Sequence, residues 1–126
     1  MAARLLSEGV AGTDSNPLVV WNRTKSKCEA LKAKFADKNI VIKDSAKEVV
    51  ESCGITYSML STPEVSKIVF EGDAGVLAGV GAGKSIVDCA TLAESDMKRM
   101  DEAVRAKGGY VNFVGAMHSN CTLSVL

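Results

Sequence analysis

The chain predicts an α/β fold: a parallel sheet with helices on both faces, built as one folding unit. Three observations carry this expectation. Apolar runs rich in β-branched residues recur along the 126 residues, helical stretches separate them in a regular rhythm, and helix-start signals stand just after strands. No low-complexity linker and no internal repeat divides the chain.

Pro17-Leu18-Val19-Val20-Trp21 reads as the first buried strand. Thr24 is placed to cap a helix in which Cys28, Leu31 and Phe35 recur at helical spacing. Residues 39–42, Asn-Ile-Val-Ile, give the next strand. Ser45-Ala46-Lys47-Glu48 is then a capping box, opening a short helix with Val49, Val50 and Cys53 inward. A third strand spans 55–60. Thr62-Pro63-Glu64 starts the following helix, with proline at its first position and Val65, Ile68 and Val69 expected on the buried side. A fourth strand is expected over 85–90. The helix after it carries Met97, Met100 and Val104 on one face and stops at Gly108-Gly109, and a fifth strand is expected over 109–114. A strand–helix alternation of this kind is the signature of a doubly wound parallel sheet.

Composition narrows the function classes. Hydrophobic residues are 47% and charged residues 24%, ordinary for a globular domain with a real core. Fifteen basic residues balance fifteen acidic ones, and no basic cluster is interleaved with aromatics, so no nucleic-acid partner is expected. No apolar run approaches membrane-spanning length, and the first ten residues lack the layout of a signal peptide, so a cytoplasmic protein without a membrane partner is expected. Cys28, Cys53, Cys89 and Cys121 are scattered without a C-x-x-C pair and read as reduced thiols. The sequons at Asn22 and Asn120 then read as chance matches.

Residues 78–85, Ala-Gly-Val-Gly-Ala-Gly-Lys-Ser, fit the relaxed pattern of a phosphate-binding loop. That loop needs a strand before it and a helix after it, so that a helix N-terminus meets the phosphate. Here Ser85-Ile86-Val87 opens a strand instead. ATP binding is therefore not expected. Gly79, Gly81 and Gly83 are read as a mobile helix-to-strand connection, with Lys84 solvated at the strand's entrance.

In doubly wound sheets ligands bind beyond the C-terminal ends of the strands. Those ends are Trp21-Asn22-Arg23-Thr24, Met59-Leu60-Ser61-Thr62 and Cys89-Ala90-Thr91. From the pattern alone Arg23 reads first as a solvated charge in a turn. The alternative is a grip on a ribose 2′-phosphate, where an acidic residue would instead hold the ribose hydroxyls. Ser61 and Thr62 read as helix caps, and Thr91 is also placed to cap the last helix. His118 stands alone, with no carboxylate or cysteine at a meaningful spacing, and is given no catalytic role.

Three segments in order, VWNRTKSKCEAL, YSMLSTPEVSKIVFEGDAGVL and GAGKSIVDCATLAES, resemble signatures of the β-hydroxyacid dehydrogenase family. This family contains the 3-hydroxyisobutyrate dehydrogenases and the glyoxylate/succinic semialdehyde reductases, with 6-phosphogluconate dehydrogenase as a relative. The resemblance covers about residues 1–111 and is strongest to the reductase branch. It implies a Rossmann-type fold and a role as the NADP(H)-binding domain of an oxidoreductase, with NAD(H) as the lesser option and a homo-oligomer as one possible assembly. By the same resemblance Asn22, Arg23 and Thr24 receive the adenosine ribose and its 2′-phosphate. Leu60 and Ser61 adjoin the dinucleotide, Val65 packs near the adenosine end, and Thr91 lies near the nicotinamide. Ala90 stands where the family has a serine.

The departures are as informative. Residues 1–9 resemble the middle of the family's first helix, so the first strand and its G-x-G-x-x-G turn are expected to be missing. After Gly108-Gly109 the chain does not follow the family's A-P-V-S-G stretch, residues 112–126 read as a divergent tail, and the lysine-bearing helical domain is not in the sequence. No catalytic residue or metal ligand is assigned. The alternative to a dehydrogenase domain is a non-catalytic Rossmann-like remnant or interaction module.

Overall fold

Leu18-Val19-Val20 and Ile40-Val41-Ile42 are apolar throughout, and such runs are stable as strands only when helices cover them. The computed structural model, which describes residues 1–114, arranges them so. In chain order the elements are α1 (Ala2–Ser7), β1 (Leu18–Val20), α2 (Lys25–Lys34), β2 (Ile40–Ile42), α3 (Ala46–Ser52), β3 (Ile55–Ser58), α4 (Pro63–Glu71), α5 (Val76–Gly79), β4 (Ser85–Asp88), α6 (Glu94–Ala106) and β5 (Tyr110–Phe113). His118, Cys121, the Asn120 sequon and most of the expected tail lie outside the described residues.

Every strand pair is parallel, which obliges each connection to cross over through helix. The strands form two sheets, β1-β2 and β3-β4-β5. Leu18 stands opposite Ile40, Ile55 opposite Ser85, and Ser85 opposite Tyr110. Among the described residues no strand joins β1 to β3. Instead α3 touches both, so the helix that links the sheets in sequence also bridges them in space.

The core lies around β4 and β5. Val50 of α3, Phe70 of α4, Ile86 of β4 and Val104 of α6 are each fully buried, and Met100, Val76 and Val111 join them. The α6 face is as read from sequence, because Met100 and Val104 are one helical turn apart. On α4 the buried face is rotated from the expected one. Ser66 and Phe70 point in, Val69 packs against the core, and Ile68 stands 67% exposed. Phe70 is the bulkiest side chain of that helix, and its burial sets the rotation.

Local signals hold at two helix starts. Ser45 Oγ accepts the Glu48 N–H at 3.2 Å, and Thr62 Oγ1 accepts the Val65 N–H at 3.2 Å. The expected caps at Thr24 and Thr91 are not formed. Thr24 occupies the cap position of α2 without a side-chain cap bond, and Ala93, not Thr91, precedes α6. Strands are also shorter than expected. β4 stops at Asp88 because the carboxylate accepts the Ala90 N–H at 2.7 Å and turns the chain out of the ladder.

The glycine-rich stretch is neither a phosphate loop nor a loose connection. Gly79 ends α5 against α3, where a Cβ would stand 2.5 Å from the Lys47 carbonyl oxygen. Gly83 takes φ +78°, and Ser85 begins β4 as a strand. Lys84 is not simply solvated. Its Nζ donates to the carbonyls of Glu51 at 2.7 Å and Cys53 at 3.0 Å, closing the C-terminus of α3.

Candidate functional site

Within each sheet the strands run parallel, and a cleft is lined by residues that follow the C-terminal ends of β1 and β3. It lies between β1 and β3, measures about 820 Å³, and runs the length of both strands. Asn22, Arg23, Thr24, Leu60, Ser61 and Val65 all line it. Six residues from two distant segments are thus brought to one place. Thr91 is exposed and is not among the residues lining this cleft.

The turn after β1 is shaped by Asn22. Its Oδ1 accepts the Thr24 N–H at 2.9 Å, an Asx turn that uses up Thr24's main-chain donor and leaves its hydroxyl free of capping duty. Arg23 is exposed at the middle of that turn and makes no hydrogen bond or ion pair among the described residues.

Beside it is a smaller pocket of about 110 Å³, lined by Trp21, Arg23, Lys25, Lys43 and Asp44 among others. Lys25 Nζ sits 2.9 Å from Asp44 Oδ1, and the Trp21 indole N–H donates to the Asp44 carbonyl at 3.1 Å. The hydrogen bond from Lys25 holds the Asp44 carboxyl below the ordinary carboxylate range, and the same bond raises the Lys25 amine. Three cations therefore meet one ionised carboxylate, and the pocket keeps a positive balance suited to an anion. Sequence reasoning missed Lys25, Lys43 and Asp44. The signal was present: Lys43 and Asp44 follow β2 directly, so they stand at a strand's C-terminal end like the residues after β1.

The opposite rim is apolar and hydroxylic. Leu60 is half-buried against the core, Ser61 is exposed, and Val65 has its N–H tied to Thr62. The three thiols among the described residues are poor nucleophiles. Burial pushes the Cys28, Cys53 and Cys89 thiols up, so they stay neutral. Among the described residues no cluster of three or more His, Cys, Asp or Glu is placed to hold a metal, and no helix is long and apolar enough to cross a membrane.

Comparison with known proteins adds an independent line. The model of the NAD binding domain of 6-phosphogluconate dehydrogenase matches residues 1–119. A chloroplastic glyoxylate/succinic semialdehyde reductase 2 of Arabidopsis thaliana is 40% identical over 82 residues, covering 65% of this chain and 21% of that protein. Cytokine-like nuclear factor N-PAC of Anopheles gambiae is 35% identical over 92 residues, 73% of this chain and 16% of that protein. Among solved structures, Psf3 in complex with NADP+ and 2-OPP superposes with a TM-score of 0.72 at 20% identity, covering 86% of this chain and 35% of that one. The fold is thus the Rossmann-type α/β fold of dehydrogenases, and the chain spans a minor part of each relative's length.

Proposed function

The chain belongs to the family of the 6-phosphogluconate dehydrogenase NAD binding domain, and we propose that its cleft receives the adenosine end of NADP(H) in preference to NAD(H). The observation that carries this reading is the unpaired Arg23 guanidinium beside Lys25 and Lys43, at the end of β1. An acidic residue at that position would grip ribose hydroxyls; a cationic pocket suits a 2′-phosphate. In this reading Asn22 shapes the turn, Arg23 binds the phosphate and the Thr24 hydroxyl adds a donor. Leu60, Ser61 and Val65 wall the adenosine, and Thr91 lies toward the nicotinamide.

The donor set fits the adenosine end of the cofactor. A glycine-rich turn at a helix N-terminus, which would cradle the pyrophosphate, is not found among the described residues. When bound, the dinucleotide supplies a hydride. The substrate class in this reading is a small aldehyde or keto acid such as glyoxylate or succinic semialdehyde, or a 3-hydroxyacid in the oxidative direction. The 40% identity to the Arabidopsis reductase supports it. No residue of this chain is given a catalytic role. Residues 1–111 are the partial dinucleotide domain of this reading, and 112–126 its divergent tail. The second reading, a Rossmann-like interaction module without catalysis, is favoured by the identity to N-PAC, whose name describes a nuclear factor and not a reductase.

Adenosine 2′,5′-bisphosphate and 5′-AMP separate these readings without needing the pyrophosphate cradle. Calorimetric titration is expected to favour the bisphosphate. A charged hydrogen bond to phosphate is worth on the order of 1.5–3 kcal/mol, so Arg23→Ala should cut that preference about tenfold or more. Equal affinity for the two nucleotides before mutation rejects the NADP(H) reading and leaves the interaction module.

A further inference from the structure

Arg23, Lys25 and Lys43 line one small pocket, yet they do not share its single carboxylate equally. Lys25 Nζ lies 2.9 Å from Asp44 Oδ1, while Arg23 and Lys43 make no ion pair among the described residues. The main chain around Asp44 has little freedom to move that carboxylate away. Lys43, just before it, donates its N–H to the Val20 carbonyl at 2.9 Å at the end of the β1-β2 pairing. Ser45, just after it, caps α3 by accepting the Glu48 N–H at 3.2 Å. The Asp44 carbonyl itself takes the Trp21 indole N–H at 3.1 Å.

A fixed anion inside a cationic pocket acts on whatever enters it. Three cations and one carboxylate leave a net charge of +2 facing the ligand, and the Lys25 amine is already engaged. The Asp44 carboxylate repels a phosphate dianion, and it is also an acceptor for ribose hydroxyls. It therefore works against a 2′-phosphate and in favour of the bare ribose, the opposite sense to Arg23. Both signs are built into one pocket, from two neighbouring strand ends.

We infer that Asp44 is a specificity-determining residue of this pocket: by engaging Lys25 and opposing an incoming dianion, it limits the preference for a 2′-phosphorylated adenosine nucleotide over the unphosphorylated one. The inference rests on the dinucleotide reading above and deepens it. Arg23 remains the partner of the phosphate. Asp44 touches Lys25 and acts on the ligand through charge, so its effect follows the sum of charges in the pocket. Removing the carboxylate alone strengthens the preference, removing the amine alone weakens it, and removing both restores it.

Adenosine 2′,5′-bisphosphate and 5′-AMP are titrated by calorimetry into the full 126-residue chain and its variants at low ionic strength. Asp44 is exposed, and Asp44→Asn keeps its shape and its main-chain bonds. The ratio of the two affinities is expected to rise about threefold or more in Asp44→Asn and to fall by a similar factor in Lys25→Gln. In the double variant it should return to within about twofold of the wild-type ratio, and Asp44→Glu, which keeps the charge, should stay there too. The gain in Asp44→Asn should shrink in about 0.5 M salt, because charges open to water are screened. A wild-type preference for the bisphosphate that Asp44→Asn leaves unchanged or lowers overturns the inference and spares the dinucleotide reading. A double variant well below wild type shows that Lys25 itself grips the phosphate, and overturns the inference too. Equal affinity for both nucleotides in every variant removes the dinucleotide reading and the inference with it. Equality in the wild type that becomes a preference in Asp44→Asn supports the inference and counts against the NADP(H) preference of the unaltered chain.

Discussion

Lys84→Met tests whether the lysine of the glycine-rich stretch serves a helix end or a phosphate. The variant keeps most of the side-chain stem and deletes the ammonium. In the fold that ammonium donates to Glu51 and Cys53 carbonyls at 2.7 and 3.0 Å, the first bond exposed and the second partly buried. Hydrogen bonds to charged groups are worth roughly 1.5–3 kcal/mol when shielded and less in water, and a cation at a helix C-terminus adds some tenths, so the pair comes to about 2 kcal/mol. For a domain of this size that lowers the melting temperature by about 6–10 °C. It also lowers the urea midpoint by about 1–2 M with an unchanged slope. Lys84→Arg should recover part of the loss, because a guanidinium can reach both carbonyls. A loss under about 0.5 kcal/mol would refute the capping argument, since ordinary surface substitutions fall in that range. Magnesium-dependent ATP binding that vanishes in Lys84→Met would show that the lysine serves a phosphate after all.

Two further substitutions address the interior. Asp88 is fully buried with Oδ2 unpartnered, and burial pushes its carboxyl above the ordinary range against the pull of the Ala90 N–H. The folded chain thus holds that proton more tightly than the unfolded one. The contribution is complete below the ordinary carboxylate pKa and is lost as pH rises through the elevated folded value. Asp88→Asn keeps an acceptor for Ala90 and should flatten this dependence, so urea midpoints of the two proteins should diverge as pH rises across that window; parallel curves would count against it. Gly79→Ala should cost about 1–3 kcal/mol in urea denaturation, because its Cβ would sit 2.5 Å from a helical carbonyl that cannot retreat. An unchanged midpoint there would mean that α5 shifts freely on α3.

What the sequence made legible was local. Strands could be read because Leu18-Val19-Val20 and Ile40-Val41-Ile42 carry their burial in their own composition, and the starts of α3 and α4 because Ser45 and Thr62 cap donors three residues away. The same logic misplaced caps at Thr24 and Thr91: the Lys27 N–H goes to the Thr24 carbonyl and not to its hydroxyl, and α6 starts later, after Ala93. Contacts between distant segments were illegible. Lys84 meets carbonyls 33 and 31 residues upstream, and Gly79 is required by Lys47, so neither role shows in the residues beside them. The site divides in the same way. Asn22 and Arg23 stood out because a strand end precedes them, while Lys43 and Asp44 matter only because β2 pairs with β1 and brings them to the Arg23 turn. The break between β1 and β3 is the extreme case. Val19 and Tyr57 look like ordinary strand residues, and what distinguishes them is which neighbour their backbone lacks. That property belongs to the order of strands in the sheet, so a structure reveals it and the residues beside each strand do not.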